Sequence, residues 1–172
     1  MLYREGARDY KGVPHQQTEP AFAVLRKILN EQKPDKIIEI GTGMGGCTLF
    51  LSEFAEIISY DIIDRTEGKL DGLDNMSLRL SDCFDPNTVN EIIYLLKHSG
   101  KVFLMCDGEA KAREVKLYAP HLKPGDYIFC HDWEDQFGWD DVKEAVGGND
   151  FDPVEKELCD NEKTNLQGWK KL

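Results

Sequence analysis

Apolar positions recur along this chain in two alternating rhythms. Over residues 19–32, Phe22, Leu25, Ile28 and Leu29 fall at helical spacing, with Thr18 as N-cap ahead of Pro20 and a break at Pro34-Asp35. The run 36–40 predicts a buried strand that ends in Gly41-Thr42-Gly43-Met44-Gly45-Gly46. A helix over about 47–53 and a strand over 57–61 follow. The alternation continues with a short strand at 77–80 and a helix at 87–98 opened by Asp85-Pro86. Next come a strand at 101–106, a helix at 111–122 stopped by Pro124-Gly125, a strand at 126–130 and a short helix at 140–146. The tail predicts an antiparallel pair formed by 151–158 and 165–171.

Strands separated by helices of this length imply βαβ units. The expected class is α/β, Rossmann-like: a mainly parallel sheet with helices on both faces and an antiparallel C-terminal strand pair. Ligands of such sheets bind at the carboxyl ends of the strands. Those ends carry Glu39 and Gly41, Asp61, Asp82, Asp107, and His131-Asp132, so acidic side chains converge on one edge.

Composition narrows the classes. A length of 172 residues suits a single domain, with 1–33 as an N-terminal helical segment. The net charge of −11 argues against nucleic acid and against anionic lipid, because both need clustered cations. No apolar run approaches a membrane span. Met1-Leu2-Tyr3-Arg4-Glu5 runs straight into charge, so no secretory leader is expected. The five cysteines, at 47, 83, 106, 130 and 159, include no C-x-x-C pair and read as buried, reduced thiols of a cytoplasmic protein. Alternation turns Cys106 and Cys130 away from the acids that follow them, against a cysteine metal site.

The glycine loop supplies the first specific chemistry. Between a strand and a helix, glycines allow a tight turn and close backbone approach to a ligand. From Gly41 the string satisfies G-x-G-x-x-G through Gly46, the dinucleotide fingerprint, and equally G-x-G-x-G through Gly45, the S-adenosylmethionine (SAM) loop. Asp61 lies 20 residues beyond Gly41, the spacing of an acid that accepts ribose hydroxyls in either case. Two features favour SAM. The chain is too short for a separate catalytic segment of a nicotinamide enzyme. Glu39, two residues before the loop, stands where many methyltransferases carry an acid able to meet the cationic methionine end. Asp82 would reach toward the adenine.

Longer strings then carry a resemblance. Gly12-Val13-Pro14, Gln17, and Lys33-Pro34-Asp35-Lys36-Ile37-Ile38-Glu39-Ile40-Gly41-Thr42-Gly43 with Gly45-Gly46 occur in order. Tyr118-Ala119-Pro120, Leu122, Pro124-Gly125, Tyr127-Ile128, Asp132 and the closing Thr164-Asn165-Leu166-Gln167-Gly168-Trp169 follow. Over nearly its whole length the chain resembles the cephalosporin hydroxylase/rhamnosyl O-methyltransferase family. The resemblance implies a class I SAM-dependent methyltransferase fold, O-methyl transfer to a sugar or small polyhydroxy acceptor, and a homo-oligomer. It places cofactor contacts at Glu39, Gly41, Thr42, Gly43, Gly45, Gly46, Asp61 and Asp82. It also places Mg²⁺ or another divalent metal at Asp107, His131 and Asp132. A metal there would hold vicinal hydroxyls and lower their pKa.

Two departures matter. His131 stands where relatives often have Glu, which shifts preference toward softer ions. Ala110 takes the place of a histidine that is a candidate base, leaving Asp107 with Lys111, or Glu109, for the catalytic role. The alternative reading is therefore a SAM-binding protein impaired in catalysis. Among the remaining residues, His15 is expected to approach the site, Trp133 to pack beneath its loop or else to wall an acceptor pocket, and Trp139 and Trp169 to pack in the core or at an edge.

Overall fold

The computed structural model describes residues 8–172. The opening residues 1–5, read above for a leader, lie outside them. Elements run in the order β1 (Arg8–Tyr10), β2 (Val13–His15), α1 (Glu19–Gln32), β3 (Lys36–Ile40), α2 (Gly46–Leu51), β4 (Glu56–Asp61), β5 (Met76–Leu80) and α3 (Pro86–His98). They continue with β6 (Val102–Cys106), α4 (Lys111–Tyr118), a 3₁₀ turn (Ala119–His121), β7 (Tyr127–Cys130), α5 (Trp139–Val146), β8 (Phe151–Val154), α6 (Lys156–Glu162) and β9 (Gln167–Lys171).

Capping chemistry sets the helix limits. The Thr18 side chain accepts the Ala21 N–H, and Pro20 sits in the first turn of α1. The helix closes at Lys33, whose backbone is left-handed ahead of Pro34. Asp85 caps α3 in the same way, accepting from Asn87 and Thr88.

β3 to β7 form a seven-stranded sheet with β8 and β9, in the order β5-β4-β3-β6-β7-β9-β8. β3, β4, β5, β6 and β7 are parallel to one another, whereas β9 runs antiparallel to both β7 and β8. The order reverses between β3 and β6, and the crevice outside the carboxyl ends at such a switch point is where these sheets hold ligands.

Alternation along the strands splits the core in two. Ile38, Ile40, Ile58, Leu104, Cys106, Ile128 and Cys130 pack with Ile92, Val115 and Val142 of α3, α4 and α5. Ile37, Ile57, Phe103, Met105 and Phe129 face Leu25, Phe50 and Cys159 of α1, α2 and α6. All five cysteines are free and buried, and Cys106 and Cys130 face the α3–α5 side.

Two elements escape the apolar pattern. The β1–β2 hairpin turns at Lys11-Gly12, both with positive φ, so the N-terminal segment is not helical throughout. Its strands are only three residues long, too short for a periodic signal. The predicted strand 151–158 stops at Val154, and α6 follows. That helix is mostly charged and is held by burial of Cys159 against α1. Trp169 is buried as expected, but Trp139 is 47% exposed, because it opens α5 on the outer side. Trp133 packs edge-on against Phe137 and Trp169 beneath the loop. No helix among the described residues is long and apolar enough to cross a membrane.

Candidate functional site

The site is built by register. Ile40 pairs with Tyr60 of β4 and Cys106 of β6, and Cys106 pairs in turn with Cys130. The next residue along each chain segment is therefore Gly41, Asp61, Asp107 or His131, and these four lie side by side at the carboxyl edge of the sheet. Backbone bonds continue the row: Gly41 N–H donates to Tyr60 O at 2.8 Å and Asp107 N–H to Ile40 O at 2.8 Å.

The loop after β3 fits tightly against this row. A Cβ on Gly41 would lie 2.3 Å from the Asp107 carbonyl oxygen, and its φ is +95°, so only glycine is accommodated. Gly43 (φ +56°) faces open space instead. Its N–H donates to Asp61 Oδ2 at 2.9 Å, which ties the loop to the end of β4. Asp61 Oδ1 accepts the Ile63 N–H. Thr42 turns its hydroxyl inward to Ser59, at 2.6 Å. Gly46 faces the hairpin: a Cβ there would meet the Pro14 and Val13 carbonyls at 2.6 and 2.7 Å. Its need for glycine comes from packing.

Glu39 is fully buried. Its Oε2 accepts from Thr48 and Ser59 hydroxyls, both at 2.5 Å, whereas Oε1 has no hydrogen-bond partner among the described residues. Burial pushes its carboxyl up to about 7, against the pull of those two hydroxyls. Asp82 is exposed and accepts the Phe84 N–H at 2.8 Å, at the turn that precedes α3.

The chemistry beyond the loop gathers around Asp107. His131 Nδ1 lies 3.0 Å from Asp132 Oδ1 and 3.5 Å from Asp107 Oδ1. Lys111 Nζ lies 2.8 Å from Asp132 Oδ2 and 3.7 Å from Asp107 Oδ1. It also donates to the Gly108 carbonyl at 2.7 Å. Burial alone would lower the His131 pKa, but hydrogen bonds to Asp107 and Asp132 carry it up to about 9. Burial opposes the charge on Lys111 too, yet Asp107 and Asp132 outweigh it and raise its pKa. His131, and then Lys111, hold the Asp132 carboxyl well below the usual range. Asp132 has a left-handed backbone, φ 59°.

Three residues of this site were not singled out for a role in the sequence. Gln17, buried after β2, donates Nε2 to Asp107 Oδ2 at 2.7 Å and leaves its Oε1 without a partner among the described residues. Glu114 accepts the Gly108 and Ala110 N–H groups and so pins the loop that carries Asp107. Gln136 donates to Asp132 Oδ2 at 2.8 Å. Helical spacing could have found Glu114, which lies one turn beyond Lys111. His15 is buried on Phe22, its ring nitrogens unpartnered among the described residues, and burial lowers its pKa.

Asp107, His131 and Asp132 each offer one ligand atom within 4.8 Å of the others. Two carboxylates and an imidazole form a donor set suited to a divalent ion.

The family model for rhamnosyl O-methyltransferase/CmcI matches residues 5–155. Among solved structures, CmcI with SAH aligns at a TM-score of 0.74 and 16% identity, covering 99% of this chain and 85% of that one. CmcI with Mg and SAM aligns at 0.72 and 18%, covering 96% and 76%. The N-methyltransferase NodS from Bradyrhizobium japonicum WM9 aligns at 0.54 and 14%, covering 89% and 94%. At these identities the likeness shows the fold. No curated protein matches in sequence.

Proposed function

Because this chain belongs to the rhamnosyl O-methyltransferase/CmcI family of SAM-dependent methyltransferases, we propose that it transfers the methyl of SAM to a hydroxyl of a sugar or other small polyhydroxy acceptor. The observation that carries this reading is Glu39: a fully buried carboxylate beside the glycine loop, one oxygen of which meets no N–H or O–H donor among the described residues, with only the Cys47 thiol beside the group. A buried acceptor without a partner is costly unless a ligand donor meets it. The ammonium of SAM is such a donor, and the Gln17 Oε1 is a second acceptor of the same kind. Gly41 and Gly43 bring the loop backbone close, and Asp61 stands at the end of β4 for the ribose hydroxyls.

Bound SAM supplies an electrophilic methyl. Transfer forms a bond from the acceptor oxygen to that methyl carbon, breaks the bond to sulfur, and releases the hydroxyl proton. Positioning supplies much of the acceleration in such a displacement. Asp107 Oδ1 is the least committed oxygen of the cluster, with only the longer contacts to His131 and Lys111. We assign it to orient the acceptor hydroxyl and take its proton. A charged Lys111 is a poor proton acceptor, so the proton is not assigned to it. Asp107, His131 and Asp132 would hold a divalent ion, which when bound would act as a Lewis acid on the hydroxyl. Ligation through His131 requires its neutral form.

The alternative of SAM binding without turnover is not favoured, since Asp107 Oδ1 is held only by the 3.5 and 3.7 Å contacts to His131 and Lys111 among the described residues. Calorimetric titration with SAM and with SAH, with and without Mg²⁺ or Mn²⁺, tests the cofactor. Release of SAH with sugar acceptors tests the transfer. Absence of binding under every condition would overturn the reading.

A further inference from the structure

Lys111 occupies a position that the proposed reaction does not explain. It is the first residue of α4 and only 6% exposed. Its ammonium has three donors. They face Asp132 Oδ2, the Gly108 carbonyl and Gln136 Oε1 at 2.8, 2.7 and 3.4 Å, with Asp107 Oδ1 at 3.7 Å. These oxygens come from the segments after β6 and after β7. Lys111 thus joins the two carboxylates that, with His131, make up the candidate metal ligands.

A cation shared by two carboxylates satisfies much of their charge. A divalent ion drawn by the same pair would sit within a few ångströms of the ammonium. In a site this buried, that like-charge contact costs far more than in water. We infer that Lys111 is the resident cation of the Asp107–Asp132 pair, so that its ammonium and a divalent ion are alternative occupants of one position. A metal enters only as the lysine withdraws. Its four-carbon stem allows that movement, and a cavity of about 250 Å³ opens beside it, lined by Glu109, Ala110, Arg113, Gln136 and Phe137. Divalent affinity is therefore set by Lys111 as much as by the ligands themselves. This inference rests on the transferase reading only for what the site serves.

The test compares the full chain with Lys111→Met, which keeps the apolar stem and removes the charge. Mn²⁺ is titrated into each by calorimetry and by loss of the free-ion electron spin resonance signal. The variant should bind Mn²⁺ roughly tenfold or more tightly than the parent, because a buried like charge has been removed. Lys111→Arg, which keeps the charge, should stay close to the parent. Lys111→Gln carries the same expectation as Lys111→Met should the latter not fold, and Mn²⁺ should raise the melting temperature of either neutral variant more than that of the parent. Equal Mn²⁺ affinity in parent and neutral variants would overturn the inference. SAM titrations of the same samples, in EDTA and with Mn²⁺, keep the two questions apart: absence of SAM binding by the parent in both would count against the transferase reading and leave the Mn²⁺ comparison standing.

Discussion

Gln17 donates its amide to Asp107 across 90 residues of sequence, at 2.7 Å. The contact carries the N-terminal segment into the centre of the site. Both partners are largely sheltered, and a hydrogen bond to a charged group is worth about 1.5–3 kcal/mol. Gln17→Ala should lower unfolding stability by about 2 kcal/mol and weaken SAM binding. Gln17→Glu should cost more, since it sets a second carboxylate against Asp107. Denaturant unfolding and calorimetric titration measure the two effects, and unchanged SAM affinity in both variants would count against a role for Gln17 at the ligand.

The loop glycines should separate folding from binding. In Gly41→Ala the new Cβ meets the Asp107 carbonyl at 2.3 Å, and the left-handed backbone adds its own strain, of order 1–3 kcal/mol. Marked loss of stability is expected. Gly43→Ala meets nothing within 4 Å and should cost only about 1–2 kcal/mol for its conformation. If the open space before Gly43 belongs to the cofactor, that folded variant should lose SAM affinity by a larger factor than stability. Thermal melting alongside titration decides.

Ionisation of Glu39 should couple to SAM binding. Its carboxyl rises from 4.5 to about 7 in the fold. Its contribution to folding is therefore fully present below about 4.5 and lost as pH rises through about 7. An ammonium ligand favours the charged form, so SAM affinity should rise as pH passes through about 7, until the α-amino group of SAM loses its own proton at about 8. Near neutral pH, binding should release a fraction of a proton, measurable by calorimetry in buffers of different ionisation enthalpy. Glu39→Gln should abolish both effects.

Glu114 titrates in the same window for a structural reason. Burial raises its carboxyl to about 7, against the Gly108 and Ala110 N–H groups. The stability it contributes is present below about 4.5 and falls as pH rises through about 7. Glu114→Gln should flatten that part of the stability profile. Glu114→Ala leaves two N–H groups without their acceptor and should cost about 1–3 kcal/mol at any pH. Urea unfolding from pH 5 to 8 separates the two variants.

The sequence alone determined the alternation of strands and helices, the α1 and β3 limits, and the row of acids at the strand ends. These follow from periodicity, caps and turn residues, all of which act over a few neighbours in the chain. Tertiary structure decided what the row does. Gly46 proved to be a packing glycine because the hairpin lies on it, and the hairpin itself is too short for a pattern. Asp107 meets Gln17 and His131 only through strand register and the approach of distant segments, and Lys111, four residues along the chain from Asp107, reaches Asp132 the same way. The charges of Lys111 and His131 are likewise set by partners across the sheet, because a pKa responds to burial and neighbouring charge, which no local spacing encodes.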